Sequence, residues 1–360
     1  MLKDYNVNGI QQIGIGVSNL REAWKCYISL FGMDCRIFED EAEARLMLPY
    51  TGGKPRSRHA VLAINLQSGG GFEVWQYKGR EPLPPAQEIL LGDLGILGCK
   101  IKVRNTGSSY TCFKQKGANL LGEPVADPSG HATYFLMDPF GNLFQMVEAS
   151  DWFVNENKQT GGSYGALIGV SDIGRAIAFY SDILGYDRVT YDTTGVFPDL
   201  SNVAGGRSVF RRVLLERSGH VKGPFSKVFG KSVIELIQSV NRPGRKIFEG
   251  RFWGDLGFIH LCFDIHGMDR LREYCNSIGY PFTVDSKKSH DGKSFDMGEA
   301  AGHFAYIEDP DGTLIELVET HRVPILKKLG LYLDLTRRDP RESLPDWIVK
   351  LLRFSKVKLK

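Results

Sequence analysis

The chain has little of what usually announces a function. Its six cysteines, Cys26, Cys35, Cys99, Cys112, Cys262 and Cys275, form no Cys-x-x-Cys pair and no dense framework. That excludes a disulfide-stapled secreted module, and reduced thiols are the expectation. No apolar run approaches the roughly 20 residues a spanning helix needs. The opening segment MLKDYNVNGIQQIG carries Asp4 and has no apolar stretch, so no signal peptide is expected and a cytoplasmic location is. A net charge of +3 over 360 residues is too small to argue for nucleic acid as a partner, and no nucleic-acid-reading motif accompanies it. What is left, 42% hydrophobic and 24% charged residues, is the composition of a globular chain two or three domains long.

Internal repetition is what the sequence does have. Gly14-Ile15-Gly16-Val17-Ser18-Asn19-Leu20 recurs as Leu167-Ile168-Gly169-Val170-Ser171-Asp172-Ile173, each leading into a helical pattern that ends at a glycine, Gly32 or Gly185. Gly92-Asp93-Leu94-Gly95 recurs as Gly254-Asp255-Leu256-Gly257, each copy leading into a strand-like stretch at Cys99 to Val103 or His260 to Ile265. Two endings also repeat: Gly130-His131 followed by Asp138-Pro139-Phe140-Gly141, and Gly302-His303 followed by Asp309-Pro310-Asp311-Gly312. The Asp-Pro-x-Gly stretches read as hairpin turns. Inside each repeat the order is strand, helix, then several strands. The pattern is A-B-A-B with a period of roughly 155 residues, as from a duplicated two-module ancestor. The modules are expected at 8–82, 92–150, 163–243 and 254–320, in two halves, 1–150 and 163–320, joined by a polar linker over 151–162. The expected class is α+β, with mixed sheets and a basic, helical C-terminal tail over 321–360.

A βαβββ unit that opens with h-x-H-h-x-h-x-V and closes with D-P-x-G-x-x-h-E-h resembles the vicinal oxygen chelate superfamily, the group of glyoxalases, bleomycin-resistance proteins and extradiol dioxygenases. The resemblance spans about 310 residues. It implies that two modules curl their strands into an open cup holding one divalent ion, zinc, nickel, cobalt, manganese or iron. Ligands are implied five residues before the V and at the E of the last strand. Carried over, these positions are Gln12 and Glu73 in the first module, Gly98 and Gln145 in the second, Gly165 and Glu235 in the third, and His260 and Glu316 in the fourth. Only Gln12, Glu73, His260 and Glu316 make a full set of oxygen and imidazole donors. If the first and fourth modules share a cup, they converge. If neighbours in sequence pair instead, Glu235 joins His260 and Glu316 in place of Gln12 and Glu73.

The function so implied is a metal-dependent lyase or isomerase of the glyoxalase type. The ion chelates two oxygens of a small carbonyl compound and stabilises the enediolate, while Glu316 first and Glu73 second move the proton. The alternatives are a ring-cleaving extradiol dioxygenase, which needs two histidines and a carboxylate, and a metal-free binding protein. His303 is a further candidate near the site. Arg207, Arg211, Arg212 and Arg217 read as a solvated strand edge. The tail is expected to pack Leu331, Leu333, Trp347, Ile348 and Leu351 on the body, with weak contact to an anionic membrane surface as the sharper reading.

Overall fold

The computed structural model describes residues 5–289, 295–296, 301–326 and 331–358. The first module is β1 (Asn6–Gly16), α1 (Leu20–Phe31), β2 (Cys35–Glu43), β3 (Ser57–Ile64) and β4 (Gly71–Tyr77). The second is β5 (Gly95–Val103), α2 (Thr106–Gln115), β6 (Asn119–Leu120), β7 (Val125–Ala126), β8 (Ala132–Met137) and β9 (Leu143–Glu148). The third is β10 (Thr160–Gly169), α3 (Ile173–Asp182), β11 (Arg188–Gly195), β12 (Phe210–Glu216), the short α4 (Ser226–Phe229) and β13 (Val233–Ser239). The fourth is β14 (Gly257–His266), α5 (Met268–Ser277), β15 (Val284–Asp285), α6 (Ser286–Ser289), β16 (Phe295–Asp296), β17 (Ala301–Glu308) and β18 (Leu314–Leu326). β10 takes the last residues of the expected linker, because Gly161 and Gly162 let the strand pass close to the backbone of Ser68 and Gly70.

Two mixed sheets result, and each joins modules distant in sequence. One runs β15-β17-β18-β14-β1-β4-β3-β2, made by the fourth and first modules; the other runs β11-β12-β13-β10-β5-β9-β8-β6, made by the third and second. Their central joints are antiparallel, β1 on β14 and β10 on β5. Side chains alternate across each strand, so each sheet has two faces with different occupants. One face of both sheets shares a large apolar core with the helices, including Tyr27 and Phe31 of α1, Phe113 of α2, Phe179 and Tyr180 of α3 and Leu271 of α5. The opposite faces carry separate clusters, aromatic in the first sheet with Trp75, Tyr77, Trp253 and Tyr306, aliphatic and Phe-rich in the second with Leu97, Phe135, Leu143 and Leu167.

Neighbouring modules in sequence are tied through the helices. Tyr27 donates to Asp138 Oδ2 at 2.8 Å and Tyr180 to Asp309 Oδ2 at 3.0 Å. These are the aspartates of the two Asp-Pro-x-Gly turns, whose glycines, Gly141 and Gly312, have φ of 84° and 92°, where a side chain would be strained.

The C-terminal segment departs from a helical tail. β18 continues past the repeat to Leu326, β19 (Leu331–Asp334) pairs with it, and helix is confined to α7 (Asp346–Lys350) and the 3-10 turn after it. A β-branched and aromatic run beside an open sheet edge extends the sheet in preference to coiling. Leu335, Leu344 and Val349 anchor the segment in a cluster with Val228 and Phe229, where Leu333 and Ile348 also pack. Trp347, expected to pack there, is 63% exposed. No helix among the described residues is long and apolar enough to cross a membrane.

Candidate functional site

The joint of β1 and β14 brings the four expected positions together. In register Gly14 faces His260 and Gln12 faces Cys262 across the antiparallel pair, Gly14 lies beside Glu73 on the parallel partner β4, and Cys262 beside Glu316 on β18. All four side chains project from the cup face. His260 Nε2 lies 3.3 Å from Glu73 Oε2 and 3.1 Å from Glu316 Oε2. Gln12 Nε2 lies 3.4 Å and 3.3 Å from the same two oxygens. Glu73, His260 and Glu316 each offer a ligand atom, and these atoms lie within 4.8 Å of one another. The first and fourth modules therefore share the cup, and Glu235 is not in it.

Local sequence explains the placement. A Cβ on Gly14 would stand 2.4 Å from His260 Cε1, so glycine is what lets the imidazole lie across β1. Tyr306 Oη donates to Glu316 Oε1 at 2.9 Å, which fixes that carboxylate with Oε2 toward His260. The imidazole lies parallel to the Trp253 ring, centroids 6.3 Å apart, and edge-on to Tyr306 at 5.6 Å. Trp75, Tyr77, Trp253 and Tyr306 wall the cup, and all four are buried.

The electrostatics are those of two buried carboxylates facing one imidazole. Burial works against a charge on His260, but the Glu316 carboxylate and then Glu73 outweigh it and lift its pKa to about 10. Burial pushes the Glu316 carboxyl up; His260 outweighs it and holds it below its ordinary value. The Cys262 thiol is pushed well up by burial first and Glu316 second, and so stays protonated. Gln12 Oε1 and both ring nitrogens of His260 are buried without a hydrogen-bond partner: the imidazole touches the carboxylates without pointing an N–H along a lone pair.

The second cup shows what the same framework becomes without these donors. Gln12, Glu73, His260 and Glu316 correspond there to Gly165, Glu235, Gly98 and Gln145, brought together by the same registers. The pair Gly14 and His260 has become Leu167 and Gly98, so a leucine fills from one strand the room the imidazole takes from the other. Lys100, in the place of Cys262, supplies the positive charge. Its Nζ lies 2.5 Å from Glu235 Oε2 and from Gln145 Oε1. Arg212 holds the other Glu235 oxygen at 2.6 Å and Asp199 at 2.8 Å. Burial pushes the Glu235 carboxyl up, but Arg212 and then Lys100 outweigh it and hold it at about 2.

Arg212 is thus not part of a solvated edge, being fully buried; Arg207 is exposed, Arg211 pairs with Asp192 at 2.7 Å, and Arg217 donates to Val7 O. His303 also leaves the candidate set. It is three residues from Tyr306 on β17 and therefore faces the other way, beside His321 with ring centroids 4.7 Å apart and opposite Glu319 in register. Its repeat His131 is exposed at a turn, against Ser129 Oγ at 2.9 Å. Sequence reasoning missed Tyr306, Trp253, Trp75 and Lys100. The alternation through Glu73, Trp75 and Tyr77 was a signal for one of them.

Comparison with known proteins follows the same lines. Residues 165–317 match the family model described as Glyoxalase/Bleomycin resistance protein/Dioxygenase superfamily. Among solved structures, a putative dioxygenase from Bacillus subtilis subsp. subtilis str. 168 is similar over 99% of this chain and 98% of its own, with 12% identity and a TM-score of 0.57. A mutant of glyoxalase I from Zea mays is similar over 88% of this chain and 92% of its own, with 14% identity and a TM-score of 0.54. At such identities the likeness is one of fold. No curated protein sequence matches the chain. The family match thus spans the third module and most of the fourth, and over the whole chain the two curled sheets built from four repeated βαβββ modules share the fold of these glyoxalase and dioxygenase structures.

Proposed function

We propose that this chain is a metal-dependent enzyme of the glyoxalase type, a lyase or isomerase acting on a small carbonyl compound in the cup between the first and fourth modules. One observation carries the reading: Gln12, Glu73, His260 and Glu316 converge from four strands, with His260 Nε2 between two buried carboxylates and Gln12 Oε1 buried without a hydrogen-bond partner. Such a set is costly to bury unless a cation completes it. Two carboxylates, an amide and an imidazole fit a hard or borderline divalent ion. Gln12 would offer Oε1, Glu73 and Glu316 their Oε2 atoms, and His260 Nε2. A single imidazole favours this chemistry over ring cleavage, which asks for two.

Bound there, a divalent ion supplies Lewis acidity, polarising substrate oxygens and lowering the pKa of the adjoining carbon acid. The chain supplies the rest. Glu316 is the proton acceptor, its Oε1 held by Tyr306 so that Oε2 faces the cup. Glu73 stands across from it as the second carboxylate. The aromatic wall of Trp75, Trp253 and Tyr306 excludes water, which strengthens every charge interaction inside.

The test is metal content. After dialysis against zinc or manganese and removal of free ion, elemental analysis should find one equivalent per chain, and His260→Ala should lose it. A wild-type chain that retains no metal, or two equivalents, would sink the reading.

A further inference from the structure

Two donors beside this centre have nothing to donate to. Trp75 follows Glu73 by two residues on β4, so both side chains leave the same face of the strand. Trp75 is fully buried, Trp253 is 7% exposed, and neither indole Nε1 has a hydrogen-bond partner. The two rings cross at 71° with centroids 4.6 Å apart, and Trp253 stands edge-on to Tyr306 at 6.3 Å. Both are held in place. Trp253 N donates to Tyr50 O at 2.9 Å, and Trp253 O accepts from Tyr77 Oη. Asp255, two residues on, accepts from Phe252 N at 2.7 Å, Leu83 N at 2.8 Å and Arg80 Nη1 at 2.7 Å. Gly254 has no side chain because a Cβ there would fall 2.0 Å from the Trp75 ring.

A buried N–H without an acceptor is a standing cost to the fold, and a phenyl ring would build the same wall without it. The acceptors of the cup are already turned elsewhere: Glu73 and Glu316 toward His260 and Gln12, and Glu316 Oε1 toward Tyr306. A ligand oxygen would complete the indoles as a cation would complete the carboxylates.

We propose that Trp75 and Trp253 are substrate-anchoring residues whose indole N–H groups bind an oxygen that the metal does not take. The substrate class is then narrower than a simple dicarbonyl: a compact molecule with a chelating pair of oxygens and at least one more, such as a carboxylate, beyond them. The proposal rests on the metal-enzyme reading for the chelated end and on the orphaned indoles for the other.

Two probes separate these ends. Oxalate chelates through two oxygens and keeps two free; acetohydroxamate chelates and keeps none. With the zinc-loaded chain, Trp75→Phe and Trp253→Phe should each bind zinc and acetohydroxamate within about twofold of wild type. Each should lose about tenfold or more in oxalate affinity by calorimetry, the scale of one hydrogen bond to a charged group. Indole resonances in nitrogen-15 spectra, assigned by their loss in the two variants, should move with oxalate and stay with acetohydroxamate. Unchanged oxalate affinity in both variants, or indole signals indifferent to oxalate, overturns the anchor. The zinc isotherm of the wild-type chain judges the metal reading separately. If it is flat, the same indole signals, followed with oxalate on the metal-free chain, still decide for or against the anchor.

Discussion

At the residue scale the two cups are a controlled comparison within one chain. Both keep a buried glutamate as the third residue of the strand beside the central joint, Glu73 on β4 and Glu235 on β13. In one cup a single imidazole, that of His260, faces two carboxylates; in the other a single carboxylate is balanced by Lys100 and Arg212. Lys100 was not legible as such, because Lys100 and Lys102 in the stretch CKIKV look like the wet side of an alternating strand, yet they are 3% and 0% exposed. Alternation reveals which residues share a face, not whether that face meets water. Two expectations follow. Glu316→Gln should keep metal affinity within about tenfold, since an amide oxygen still coordinates, and lose most exchange of the substrate's α-proton with deuterated solvent; full exchange would remove Glu316 as the proton acceptor. The second concerns acid stability. Glu235 has a folded pKa of about 2 against an ordinary 4.5. Its contribution, on the order of 3 kcal/mol, is complete above the unfolded value and is lost as pH falls from 4.5 toward 2. Lys100→Met removes one of its two cations and should cost about 3 kcal/mol at pH 7, while moving the acid transition to higher pH. Urea unfolding at several pH values measures both, and an unchanged acid midpoint would mean that Lys100 does not hold that carboxyl down.

At the element scale, a strand joint decides what a cup holds. β1 and β14 meet with a glycine opposite a histidine, β10 and β5 with a leucine opposite a glycine. These are reciprocal ways of filling one gap, and close-packed interiors tolerate no void there and no overlap. The ligand positions implied by the family resemblance could be carried from module to module along the repeat, because period-2 alternation and a shared register put corresponding residues on corresponding faces. The role of Gly14 was not, since glycine in a strand gives no sign of what approaches it until the partner strand is known. Gly14→Ala should therefore act on the metal: its Cβ would stand 2.4 Å from the imidazole, displacing His260 and lowering metal affinity tenfold or more, a cost of at least about 1.4 kcal/mol. Gly195→Ala on β11, where a Cβ meets nothing within 4 Å, is the matched control. Equal metal affinity in the two variants would show that the close approach is not what positions the ligand.

At the scale of the molecule, sequence order and spatial order differ, and of the two pairings left open by the sequence the structure takes the one that completes the donor set implied by the family resemblance. Gln12 and Glu73 lack ligand partners in the module that follows them, and His260 and Glu316 find only Gly165 and Glu235 in the module that precedes them. A site that keeps its donors as a set points to the pairing that completes it. The register of β1 with β14, from Asn6 opposite His266 to Gly16 opposite Gly257, is that pairing. Its consequence is that neither half of the sequence closes a sheet alone. Residues 1–155 without the rest expose one edge each of β1 and β5, which lose β14 and β10, and the remaining residues expose the matching edges of β10 and β14. Bare strands of this length are templates for self-pairing. Expressed separately, each fragment should form dimers or larger aggregates by light scattering and bind zinc at least a hundredfold more weakly than the intact chain, since each carries two of the four donors. Co-expressed, the two should recover as a 1:1 complex with one equivalent of metal, because each supplies the strands and the ligands the other lacks. If residues 156–360 alone are monomeric and bind zinc as tightly as the whole chain, then His260 and Glu316 need neither Gln12 nor Glu73, and the shared cup is not the metal's site.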